Sequence, residues 1–204
     1  MDKKLRAREG AVLGINSSTE LYEKLKFEGE RLSKEWHSYD AFNFIVTAWH
    51  LYNDWLPADR TGRPIFASAK INKRKLPQEM ILVLDVLRDL SNGSKHLNLD
   101  LKGSKKRVVS KTHTGEISNA WAYCFQERIP GVTTEDYYYF SIRKLRDISL
   151  AYFAWVFADE TSGSSFPGKL LWVIWRCAPK NRVKDAIPPI GAEAGELGDP
   201  NFVC

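Results

Sequence analysis

The sequence lacks the short motifs by which several common enzyme classes are recognised. It contains no Walker A phosphate loop, no glycine-rich dinucleotide fingerprint, no His-Glu-x-x-His and no Gly-x-Ser-x-Gly. It also contains no internal repeat of the kind that builds solenoids or propellers. The usual sequence evidence for a P-loop nucleoside triphosphatase, a dehydrogenase, a zinc protease or a serine hydrolase is therefore missing.

Metal ligands and disulfides are poorly represented as well. The 3 cysteines are widely and irregularly spaced, which argues against a disulfide framework and against a zinc knuckle. No two of the histidines lie four residues apart, the spacing that brings two ligands to one helical face. The histidines are His37, His50, His96 and His113. We expect reduced thiols, no metal and no cofactor.

Long apolar runs are also absent. Residues 1–10 are charged and show no apolar segment of a secretory signal. The longest apolar run near the C-terminus, Leu170 to Trp175, is far short of the roughly 20 residues that span a bilayer. These features predict a cytoplasmic protein without membrane contact. Of its residues, 44% are hydrophobic and 12% aromatic, enough for one good core, and the net charge of +5 permits an anionic partner.

The most informative stretch runs from Leu87 to His96, at the polar end of an apolar segment that begins near Pro77. At about 100° per residue, its polar side chains fall on one side of a helix, opposite the aliphatic ones. These polar side chains are Asp85, Arg88, Asp89, Asn92 and His96. A guanidinium binds a phosphate bidentately and an imidazole transfers protons near neutral pH, while Asn92 and Lys95 add donors. The alternative is structural: Arg88 pairs with a neighbouring aspartate, and Asn92-Gly93 forms a helix C-terminal turn.

A second polar stripe lies on the preceding apolar helix, predicted from Ser38 to Pro57. It consists of Asn43, Thr47, His50 and Asp54, within about 60° of one another on the helical projection. Because buried polar groups need partners, we expect this stripe to face the Asp85 to His96 stripe, with Asp54 or Asn43 orienting His50. A His50 that is hydrogen-bonded only for packing is the alternative.

Two basic clusters are candidates for nucleic-acid binding. They comprise Lys73, Arg74 and Lys75 in the loop before the third helix, and Lys105, Lys106 and Arg107 after it. Lysine and arginine bind phosphates, so such binding should weaken with salt. The alternative is a solvated run of charge, since the first cluster has no interleaved aromatic residues.

The overall pattern predicts an α+β domain that is mostly helical. A basic arm, residues 1–16, precedes a domain at 17–177, and residues 178–204 form a Pro/Gly-rich tail that is extended or disordered. Three helices begin near Ser18, Ser38 and Pro77, the first with a Ser17-x-x-Glu20 capping box. Alternating apolar residues then predict a small antiparallel sheet over about 97–127, before a fourth helix from about 141. Residues 137–140 are either an edge strand or part of that helix, and the type of element at 169–177 is left open.

The arrangement of Arg88, Asn92 and His96 at the end of an apolar helix resembles the HEPN superfamily of small helical bundles. Many members are metal-independent ribonucleases of toxin, CRISPR and abortive-infection systems, with a motif of Arg, four to six residues, then His; here the gap is seven. Ala48-Trp49-His50 with Asn92-Gly93-Ser94-Lys95-His96 also looks like small bacterial and phage proteins. This second resemblance covers residues 38–96 and brings no activity with it. The HEPN resemblance implies a four-helix bundle, a homodimer and an RNA substrate.

Two functions follow as hypotheses. One is a HEPN-like nuclease, or a nuclease-derived nucleic-acid-binding protein, in conflict between bacteria and phage, with Arg88, Asn92, Lys95, His96 and His50 as catalytic residues. The other is a non-catalytic interaction protein that binds a protein or nucleic acid through its basic loops or through residues 190–204.

Overall fold

Helices make up most of the chain that the computed structural model describes, which is residues 14–95, 107–113, 130–158, 165–182 and 186–193. In chain order they are α1 (Ser18–Lys34), α2 (Ser38–His50), a π-helical turn (Leu51–Trp55), α3 (Leu56–Ala58), α4 (Ala67–Lys70), a 3₁₀ turn (Lys73–Lys75), α5 (Gln78–Lys95), α6 (Ile142–Phe157), α7 (Gly168–Trp175) and a second 3₁₀ turn (Pro179–Arg182). The predicted α+β class with a mostly helical chain is confirmed.

The first two helices begin as the sequence predicts. Ser17 accepts a hydrogen bond from the backbone N–H of Glu20, and the Glu20 carboxylate accepts one from the backbone of Ser17, so the capping box is complete. The Nδ1 atom of His37 caps α2 by accepting from the backbone N–H of Tyr39 at 3.2 Å. After α2 the helix widens into the π-helical turn, where Leu56 donates to the carbonyl of Leu51.

The apolar faces of the longer helices meet in one core. Each contributes a side chain with no exposed surface: Leu25 from α1, Phe44 from α2, Leu87 from α5, Phe153 from α6 and Ile174 from α7. Burying such a side chain contributes about 1.5–3 kcal/mol to stability. The core therefore fixes how the two polar stripes are oriented relative to one another.

Among the described residues, three antiparallel strands pack against this helical layer. They are β1 (Val109–His113), β2 (Gly131–Thr134) and β3 (Tyr139–Ser141), in the order β1-β2-β3. Val109 is a partner of Thr134 and Val132 is a partner of Phe140, with a bulge between Val109 and Lys111. The sheet thus extends beyond the predicted limit of about 127. Strands predicted around 97–102 and 121–126 lie outside the described residues.

The structure also assigns the two segments whose secondary structure the sequence left open. Residues 139–141 form an edge strand rather than helix, because Tyr137 and Thr134 close a turn between β2 and β3. The Leu/Trp-rich segment is the helix α7. Residues 186–193 of the predicted tail lie against the start of α7, where the Glu193 N–H donates to the carbonyl of Gly168 at 3.0 Å.

Candidate functional site

A histidine–carboxylate pair joins the last residue of α2, His50, to Asp54 in the π-helical turn that follows. The Nδ1 atom of His50 is hydrogen-bonded to Oδ2 of Asp54, and Asn53 donates from Nδ2 to Oδ1 of the same carboxylate at 2.7 Å. The side chains of His50 and Asp54 are 31% and 48% exposed, so solvent reaches the pair. Asp54 orients His50 as predicted, whereas Asn43 is exposed on an earlier turn of α2.

This arrangement suits general acid–base chemistry. A carboxylate at Nδ1 favours the tautomer with its proton on that nitrogen, which leaves the lone pair on Nε2. It also stabilises the imidazolium that forms when Nε2 takes a proton. Single π-turns inside helices occur frequently at functional sites, since they shift the side chains that follow them.

Thr47, in the middle of the polar stripe on α2, contacts α1. Thr47 is buried, and its hydroxyl lies 2.6 Å from Nζ of Lys24. The same ammonium lies 2.5 Å from Oε1 of Glu28, whose second oxygen, Oε2, is buried without a partner among the described residues. The expected meeting of the two stripes is therefore not seen at Thr47. Lys24 and Glu28 were missed because their four-residue spacing on α1 is equally typical of a solvated ion pair.

The stripe on α5 has a different environment. Nε and NH2 of Arg88 donate to Oδ1 of Asp89 at 3.0 and 2.8 Å, and NH1 donates to Oδ1 of Asp85 at 2.9 Å. The other oxygen of Asp89 accepts from the backbone N–H groups of Val108 at 2.7 Å and Val109 at 3.2 Å. The side chains of Arg88 and Asp89 are 9% and 7% exposed. This geometry matches the structural alternative, in which Arg88 pairs with neighbouring aspartates. The cluster links α5 to the start of β1.

The second part of that alternative, a helix C-terminal turn at Asn92-Gly93, is not seen. Asn92 is exposed, but the helix continues past Gly93 to Lys95 rather than ending at Asn92-Gly93. The side chain of Lys95 and the whole of His96 lie outside the described residues. Their proposed roles therefore stay predictions.

The basic clusters separate into groups with different environments. Lys73 lies 2.8 Å from Asp85, while Arg74 and Lys75 are exposed on the 3₁₀ turn. Arg107 is half-buried, and its Nε has no hydrogen-bond partner among the described residues. Lys105 and Lys106 lie outside them. Among the described members of the two clusters, Arg74 and Lys75 match the pattern of an open basic surface.

No protein-family model, curated protein or solved structure matches this chain. Within the described ranges, no group of three His, Cys, Asp or Glu side chains is arranged to hold a metal ion. No helix in those ranges is long and apolar enough to cross a membrane.

Proposed function

We propose that this protein is a HEPN-like, metal-independent ribonuclease, or an RNA-binding protein derived from one, in conflict between bacteria and phage. The observation that supports the proposal is the solvent-accessible pair of His50, at the end of α2, and Asp54, in the π-helical turn. The mostly helical fold is compatible with a HEPN-like bundle. We assign the general base to His50, which lies outside the Arg-to-His motif, because Arg88 of that motif is enclosed by two carboxylates.

In the proposed reaction, Nε2 of His50 removes the proton of a ribose 2′-hydroxyl. The oxygen then attacks the adjacent phosphorus, and the bond from phosphorus to the 5′-oxygen breaks, leaving a 2′,3′-cyclic phosphate. A protonated acid returns a proton to the departing 5′-oxygen, which balances the first transfer. We assign that acid to His96, the stabilising cation to Lys95 and a further donor to Asn92.

The test is cleavage of a fluorescent single-stranded RNA in EDTA. Loss of a general base typically lowers the rate by about 100-fold to 10,000-fold, so we expect a decrease of that size in His50→Gln. Asp54→Asn should also be slower, since it removes the charge that stabilises the imidazolium. His37→Asn is the matched control, because asparagine is a good N-cap residue and can replace the imidazole at the start of α2.

Each variant should be checked for folding by circular dichroism. Unchanged cleavage by folded His50→Gln would overturn the catalytic role of His50. If the wild-type protein cleaves no RNA at any tested pH but retains RNA at low salt, the nuclease-derived binder is supported instead.

A second function, a non-catalytic interaction protein, is favoured by the surface near the start of α2. Trp36, Tyr39 and Phe42 are 36%, 74% and 45% exposed within a short stretch. Aromatic residues are enriched at protein interfaces, so three exposed aromatic side chains close together in the sequence favour a protein-binding surface here. Absence of both RNA cleavage and RNA binding would support this function.

A further inference from the structure

A groove of about 230 Å³ lies where the first turns of α5 meet the turn between β2 and β3. It is lined by Gln78, Glu79, Ile81, Leu82 and Asp85 from α5, and by Asp136 and Tyr138 from the turn. Because α5 and the sheet are fixed to each other by Asp89 and the Val108 and Val109 amides, the two walls of the groove are held in place.

The polar side of the groove is negative although the whole chain carries +5. Among the described residues, Glu79 and Asp136 have no hydrogen bond or ion pair to another side chain, and neither is fully buried. The third carboxylate, Asp85, accepts from Lys73 at 2.8 Å and from Arg88 at 2.9 Å. An ammonium group from the chain itself thus already lies at the edge of the groove.

The other side of the groove is apolar and aromatic. Ile81 and Leu82 are half-buried on α5, and the ring of Tyr138 stacks on Phe140 with 6.0 Å between centroids. Burial and the nearby charge of Glu79 both raise the pKa of Tyr138, so the phenol stays neutral and keeps its π-face. The groove thus combines carboxylates on one side with aliphatic side chains and an aromatic face on the other.

We propose that this groove binds a lysine or arginine side chain from an extended basic segment of a partner protein. The aliphatic stem of such a side chain packs on Ile81 and Leu82. Its charged end pairs with Glu79 and Asp136 and lies near the Tyr138 ring. Phosphate is disfavoured by the same carboxylates, so the groove is separate from any RNA site. The inference does not depend on the proposed ribonuclease activity.

The test uses a fluorescein-labelled peptide of alternating lysine and glycine, with binding to the full chain followed by fluorescence anisotropy. The same peptide with every lysine acetylated keeps the stems but removes the charges. Glu79→Gln/Asp136→Asn removes two groove carboxylates, whereas Glu30→Gln/Glu35→Gln makes an equal charge change at exposed positions of α1 and its end. Tyr138→Leu tests the aromatic wall.

We expect salt-sensitive binding of the lysine peptide and weak or no binding of the acetylated one. Loss of two exposed ion pairs should weaken binding by about tenfold in the groove variant, with little change in the α1 control. Equal binding by both peptides, or equal losses in both double variants, would overturn the groove as the site. No measurable binding of the lysine peptide at low salt would overturn it as well. Circular dichroism confirms that each variant is folded.

Discussion

At the scale of single residues, burial decides between the two interpretations that the sequence left open for charged side chains. Arg88 and His50 are both residue types that serve catalysis. Arg88 is 9% exposed between two aspartates, whereas the His50 side chain is 31% exposed with one aspartate at Nδ1. For both residues, the sequence predicted the carboxylate partners that lie within four positions along the chain. The degree of burial was not, because it depends on β1 and the loop before α5.

Asp59 provides a pH-dependent test at this scale. Its Oδ2 accepts from the backbone N–H of Ser18 at 2.7 Å and from its hydroxyl at 3.0 Å, while Oδ1 accepts from the N–H of Gly62 at 2.8 Å. Burial alone would raise the pKa of Asp59, but the hydrogen bonds together lower it by a larger amount, so the net pKa lies below the usual value. The folded state therefore favours the ionised carboxylate.

We expect Asp59→Asn to lower the free energy of unfolding by about 1–3 kcal/mol at neutral pH. A depressed folded-state pKa gives stability that is complete above the unfolded-state value of about 4 and is lost as the pH falls through the folded-state value. The difference between wild type and Asp59→Asn should therefore shrink in acid. Urea denaturation from pH 7 to pH 3 measures it. Exposed Glu30→Gln is the control, and a difference that is constant with pH would contradict the prediction.

At the scale of elements, local signals predicted the helix starts, and long-range contacts determined the rest. The Ser17 capping box and the proline before α5 act on neighbouring backbone groups, so they are visible in the sequence. The strand β2 was missed because Gly131-Val132-Thr133-Thr134 shows too little alternation to indicate a strand. Its pairing with β1 and β3 comes from residues distant in sequence.

Lys70 illustrates the same limit for a charge cluster. The sequence places it beside a solvated basic run, yet it is 3% exposed, and its Nζ donates to the carbonyls of Trp155 at 2.7 Å and Ala158 at 3.0 Å. It also lies 5.4 Å from the Trp155 ring centroid. These carbonyls belong to the end of α6, where a cation is favoured by the helix dipole. The lysine thus connects α4 to the C-terminus of α6.

We expect Lys70→Met to destabilise the protein by about 1–3 kcal/mol, because buried carbonyls lose a charged donor. Lys75→Met removes an exposed lysine five residues later and should change stability by less than about 0.5 kcal/mol. Urea denaturation followed by tryptophan fluorescence compares the two. Equal stabilities would mean that the desolvation cost of the Lys70 ammonium cancels its hydrogen bonds.

At the scale of the whole molecule, apolar periodicity predicted which helices share the core but not which polar faces meet. Thr47 and Lys24 are 23 residues apart in sequence and hydrogen-bonded in space. The choice between α1 and α5 as the partner of the α2 stripe depends on helix rotation in the packed bundle, which the sequence pattern leaves undetermined. The predicted contact between His50 and Asp54 is therefore present, whereas Thr47 of the same stripe contacts Lys24 on α1.

The segment 186–193 gives a test of how the C-terminal part is attached to the helical layer. Gly168, at the start of α7, accepts a hydrogen bond from the Glu193 N–H at 3.0 Å. A β-carbon at Gly168 would lie 2.5 Å from the carbonyl oxygen of Gly191 and 2.6 Å from Cγ of Glu193. Because one of these neighbours is backbone, side-chain rotation alone does not relieve the overlap.

We therefore expect Gly168→Ala to displace residues 190–193 from α7 while leaving α7 helical, since alanine is the better helix former. Hydrogen exchange measured by mass spectrometry should show faster exchange in a peptide that contains Glu193 and little change within α7. Ile190→Ala is the matched control, because that side chain is fully exposed in the same segment. Unchanged protection at Glu193 in Gly168→Ala would show that its amide is held by something other than the Gly168 carbonyl.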